Sequence, residues 1–142
     1  MSQARWTEAG VIDEVIELLR REEAAMAMVE SRLRAIELLA AAGHERFVAT
    51  ALDELDTASE RLAGLELGRV LALAGAGLPA DLPAARLPEA LGEEERLQPV
   101  LDDLARAATR LTEARDRTWA VVSSGAREVS ERLEASGVLA SA

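Results

Sequence analysis

Apolar residues in the first third of the chain recur in alternating steps of three and four: Ile12, Val15, Leu19, Met26, Val29, Leu33, Ile36 and Ala40, with Glu22 as the one interruption. A spacing that averages 3.5 residues keeps one side of an α-helix apolar, here over about 50 Å at 1.5 Å per residue. Gly43 closes the run, because glycine takes the left-handed conformation that ends a helix without a steric penalty. The pattern predicts a first helix over about residues 8–42. Thr7 is its expected N-cap, with Trp6 and Val11 spaced as a hydrophobic staple. A second stripe, Val48, Ala51, Leu55, Ala58, Leu62 and Leu65, predicts a helix over about 44–73. So short a turn between the two forces them to run antiparallel.

From Gly75 to Gly92 the chain changes character. Pro79, Pro83 and Pro88 are spaced to forbid a helix, so residues 75–92 read as a semi-rigid linker that lies over the helices through Leu78, Leu82 and Leu87. A third helix follows over about 93–136, starting either at Glu93, with Pro99 inside it, or at Pro99 itself. Its stripe runs Leu97, Leu101, Leu104, Ala108 and Leu111, then falters at Arg115, Thr118 and Gly125 before Val129 and Leu133 resume it. The fold expected is all-α: one domain over 1–142, an elongated antiparallel bundle or coiled coil of three long helices with a Pro-rich linker before the last.

Composition narrows the chemistry. Hydrophobic residues make up 49% of the chain but aromatics only 2%, so the core must be built from Leu, Ala and Val. The net charge of −10 is spread along the chain, and no basic face of the kind a nucleic acid would require stands out. No run of apolar residues is long enough for membrane insertion, and the first ten residues lack the pattern of a signal peptide. There is no cysteine, which excludes disulfides and thiolate sites and fits a reducing compartment. A cytoplasmic location is the expectation.

No catalytic, cofactor-binding or metal-ligating residue is assigned. His44, the single histidine, falls at the turn between the first two helices, where a capping role outweighs a catalytic one. No Glu-x-x-His pair exists, and Gly75-Ala76-Gly77 lacks the rest of a phosphate-binding loop. The carboxylates Asp13, Glu14 and Glu17, and Asp53, Glu54 and Asp56, fall largely off the apolar stripes and read as solvated faces. An enzyme is not expected.

The order of elements carries a resemblance. A leucine-rich first helix, strongest over Glu14 to Ala42, a glycine turn, a second helix and a Pro/Leu-rich link precede a last helix containing Leu101-Asp102-Asp103-Leu104-Ala105-Arg106-Ala107-Ala108-Thr109-Arg110-Leu111. From about Glu8 to Leu133 the chain resembles the FlgN family of flagellar type III export chaperones. Thr112 and Arg115 stand where relatives often carry asparagine. The resemblance implies a cytoplasmic escort without cofactors that holds the C-terminal helical segment of hook-associated (hook–filament junction) proteins. It would keep them from polymerising early and hand them to the flagellar export apparatus.

In that family the C-terminal part engages the client. The interrupted stripe of the third helix suits such a role, since a marginal amphipathic helix can share its packing with a client helix. The client-binding residues expected are Trp119, Val121, Val122, Val129 and Leu133, with Trp119 as the interfacial anchor. The alternative is a self-associating coiled-coil adaptor, a homodimer with no role in secretion.

Overall fold

Helical propensity and the two glycine stops set the main elements. The computed structural model describes the backbone of residues 8–135 and the side chains of residues 10–125. The chain is all-α: helix α1 spans Glu8–Ala41, α2 Glu45–Gly75, the short α3 Leu87–Leu91 and α4 Glu94–Ala135, and a 3₁₀ turn, Ala84–Arg86, leads into α3. Among the described residues there is no strand. Thr7 and Trp6, the expected cap and staple, lie outside the described residues.

One expectation needs correction, and one open alternative is decided. The segment after α2 is not free of helix, because Pro88 falls in the first turn of α3, where its missing N–H would have had no partner anyway. The earlier of the two candidate starts for the last helix is close to the observed one, Glu94, and Pro99 lies within α4.

The helix stops follow one design. Gly43 has φ 76°; its N–H donates to the Ala40 carbonyl, and the His44 N–H donates to Leu39 at 2.9 Å. Gly77, with φ 84°, repeats the arrangement: its N–H donates to Ala74 and that of Leu78 to Leu73 at 2.9 Å. These are the paired bonds of a glycine-closed helix end. In the second case Leu78 packs against the core that holds Leu73, which turns the chain back over the helices.

Helix α1 is central. It packs along both α2 and α4, whereas α2 and α4 scarcely touch each other. Contacts between α1 and α2 pair Glu22 with Arg69 and Arg32 with Glu54, an antiparallel register. Those between α1 and α4 pair Asp13 with Arg96, Arg20 with Asp103 and Leu33 with Thr118, a parallel one.

Two apolar clusters result. In the lower one Val11, Ile12, Val15 and Leu19 of α1 meet Leu73 of α2, Leu87 and Leu91 of α3, and Leu97, Val100, Leu101 and Leu104 of α4; Leu78 and Leu82 pack on its outside. The upper cluster is thinner, with Val29, Leu33, Ala58 and Ala114 buried and Leu55, Leu62 and Leu111 only partly covered. The segment from Leu78 to Leu91 thus closes the lower half of the space between α2 and α4. Among the described residues the upper half has no such cover.

Polar groups within these seams are paired. Glu22 is 1% exposed and receives Arg69 Nε at 2.7 Å and Nη2 at 3.2 Å, a two-point ion pair. The residue that interrupts the α1 stripe is therefore one of its most buried members. Thr118, also read as a flaw, is buried and donates its hydroxyl to the Leu33 carbonyl at 3.0 Å, tying α4 to α1.

Candidate functional site

The side chains that face the uncovered half of the molecule follow from helix registers. On α4 two heptad rows flank the Leu97, Leu104, Leu111 and Thr118 line. One, Val100, Ala107 and Ala114, is buried against α1. The other, Leu101, Ala108, Arg115 and Val122, turns toward α2. Its first member lies under the linker, and Arg115 is exposed. The sequence pattern selected the second row as core. Leu101 is buried in the lower core as that reading has it, whereas Arg115, farther along the same row, stands in the wall of a groove.

The groove runs over α1 between α2 and α4 and encloses a cavity of about 370 Å³. Val29 and Leu33 form its floor. Leu55, Ser59, Leu62, Ala63 and Glu66 form the α2 wall, and Leu111, Thr112 and Arg115 the α4 wall. On α2, Leu52 and Val70 lie seven residues before Ser59 and four after Glu66, so helical geometry carries the wall in both directions. A second cavity, of about 370 Å³, lies where the linker meets α4 beside Met26, Leu104 and Ala108.

Of the client-binding residues expected from sequence, Trp119 stands four residues beyond Arg115, one turn farther along the groove side of α4, and is 72% exposed. It does not cover the core. Val121 and Val122 are half-buried. Val121 lines a separate shallow cleft with Ala40, Ala41 and Ala120 near the helix α1–α2 turn. Val129 and Leu133 lie outside the residues whose side chains are described. Sequence reading missed Leu55, Leu62, Glu66 and Arg115 as surface. The available signal was the pair of rows on α4, one all small and apolar, the other containing an arginine.

The opposite flank of α4 is ionic. Arg96, Asp103 and Arg110 recur every seven residues and meet Asp13, Arg20 and Glu30 of α1. Hydrogen bonds from Arg20, at 2.7 Å, and from Arg106 hold the Asp103 carboxyl below the usual carboxylate range. Asp103 and Glu23 in turn raise the Arg20 guanidinium above its ordinary value. This ladder follows the α1–α4 register, and among the described residues no ion pair from α4 to α1 lies on the groove side.

At the α1–α2 turn, Arg46 stacks over the half-exposed Phe47 ring at 4.7 Å, and His44 approaches that ring edge-on. Among the described residues no three His, Asp or Glu side chains converge as a cation site would require. No described helix is long and apolar enough to cross a membrane. No protein-family model, no curated protein and no solved structure matches the chain.

Proposed function

We propose that this chain is an export chaperone of the flagellar type III system, holding the C-terminal helical region of a hook–filament junction protein and delivering it to the export apparatus. The observation that carries the reading is the open apolar groove between α2 and α4, floored by Val29 and Leu33. On this reading the three long helices form a bundle one helix short: the linker fills the fourth position below, and the client fills it above. A helix whose anchors recur at steps of three and four would bury its apolar face there against Leu55, Leu62 and Leu111. Trp119, one turn beyond Arg115 on α4 and largely exposed, supplies the kind of rigid aromatic area that dominates helix-in-groove interfaces. The resemblance of the chain to the FlgN family supplies the identity of the client.

Calorimetric titration with the last ~40 residues of the same organism's hook–filament junction proteins tests the reading. Such coupled folding buries on the order of 1,000 Å² or more and gives a strongly negative heat-capacity change. Defined stoichiometry with that signature is the expected result. Absence of heat with every such segment would remove the chaperone assignment.

A second reading, self-association, has its own observation. Leu67 and Leu71, one turn apart on α2, are largely exposed. A homodimer in light scattering that Leu71→Asp converts to monomer would favour it.

A further inference from the structure

The groove has walls of opposite charge, and this specifies more about its occupant than apolarity does. Glu66 projects from the α2 wall and is half-buried, yet among the described residues it makes no ion pair. Its neighbour Arg69 is committed to Glu22. Arg115 on the α4 wall is exposed and has only its sequence neighbour Asp116 at 3.6 Å.

The two charges lie at different heights. The antiparallel register that sets Arg69 beside Glu22 puts Glu66 near the level of Ala25. The parallel register of Thr118 with Leu33 puts Arg115 near the level of Glu30 or a little above. The separation along the groove is thus on the order of one to two helical turns. Between them the lining is Val29, Leu33, Leu62 and Leu111.

A charge of each sign on opposite sides of an apolar floor, one half-buried and one exposed, is complementary to one amphipathic helix with a defined charge pattern. We infer that the groove binds an amphipathic helix carrying a basic residue on one edge of its apolar stripe, to meet Glu66, and an acidic residue on the other edge one to two turns away, to meet Arg115. This rests on the groove being the client site, and it names the chemistry by which a client would be selected. Helices with the same sign on both edges bring a like charge against one wall, which costs affinity and so discriminates among the many amphipathic helices of a cell.

The probes are three synthetic helical peptides with one leucine stripe. One has Arg and Glu on opposite edges five residues apart, about 140° around the helix and about 7.5 Å along it, one Arg at both places, one Glu at both. Binding to the full-length protein is read from Trp119 emission in a Trp6→Phe background. Differences between variants cancel the attraction of the overall negative charge for basic peptides.

Glu66→Gln is expected to weaken the Arg/Glu and Arg/Arg peptides about fivefold and to leave the Glu/Glu peptide unchanged or tighter; Arg115→Gln should weaken only the two Glu-containing peptides. Glu66→Arg should make the Glu/Glu peptide the preferred one. Equal effects of each substitution on all three peptides, or no binding of any, would overturn the inference.

The same variants titrated with hook–filament junction segments separate the two claims. Client binding indifferent to Glu66 and Arg115 would retain the chaperone reading and sink the charge pattern. Peptides that obey the pattern while no client binds would do the reverse.

Discussion

The Glu22–Arg69 pair gives the sharpest test of how α1 and α2 are held together. Glu22 is 1% exposed, and both its carboxylate oxygens accept from one guanidinium. The Arg69 side chain keeps 14% of its surface in contact with solvent. Arg69→Met would leave a carboxylate buried and unpaired, which costs about 3–5 kcal/mol, whereas exchanging both partners for hydrophobic residues of similar volume is often neutral or stabilising.

For a chain of this length each kcal/mol moves the melting temperature by about 3 °C, so Arg69→Met should melt about 10–15 °C low. Glu22→Met should cost less, about 1–2 kcal/mol, because the long Arg69 stem can carry its charge toward water. The double variant Glu22→Met with Arg69→Met should return to within about 1 kcal/mol of the parent. Urea unfolding followed by circular dichroism, on the parent and the three variants, completes the cycle. A double variant as unstable as Arg69→Met would refute the reasoning, since the loss would then lie in the shape of the side chains rather than in an orphaned charge.

Three further outcomes follow from single contacts. Trp119→Ala should change stability by no more than about 0.5 kcal/mol, because the ring is exposed, while weakening client binding at least tenfold on the order of a hot spot; a large drop in melting temperature would show that the ring packs. Thr118→Val keeps the shape of the side chain and removes its bond to the Leu33 carbonyl, so it should cost about 0.5–1.5 kcal/mol in chemical denaturation; an unchanged midpoint would mean the bond is worth nothing net. Arg20→Gln should raise the Asp103 pKa toward the ordinary carboxylate value, read by carbon-detected NMR titration. Because Asp103 is held low in the folded chain, its contribution is present at neutral pH and lost as pH falls through its folded pKa. The parent should therefore lose more stability on acidification than Arg20→Gln, and parallel pH profiles would show that the ladder has no such linkage.

The elements were legible because each is written in a local code. The α1 stripe named its buried face correctly from Ile12 to Ile36 except at Met26, which is only partly covered, and Gly43 stopped the helix where a left-handed residue was needed. What local patterning could not reveal was which partner lies across each row of side chains. Glu22 looked like a flaw because its compensating charge, Arg69, is 47 residues away. Thr118 looked like one because its acceptor is a backbone carbonyl 85 residues away.

The groove was hidden for a related reason. A heptad pattern shows that a row is apolar, and apolar rows suit a core and a docking surface equally well. Leu111 and Leu62 read as core on that basis, yet both line the open cavity. The distinction appears only when the rows on α4 are compared. Ala107 and Ala114, small enough to let two helices approach, mark the seam with α1, and Arg115 marks the side where no described helix arrives. An arginine in a heptad core position is thus better read as the edge of an incomplete bundle than as a defect in a complete one.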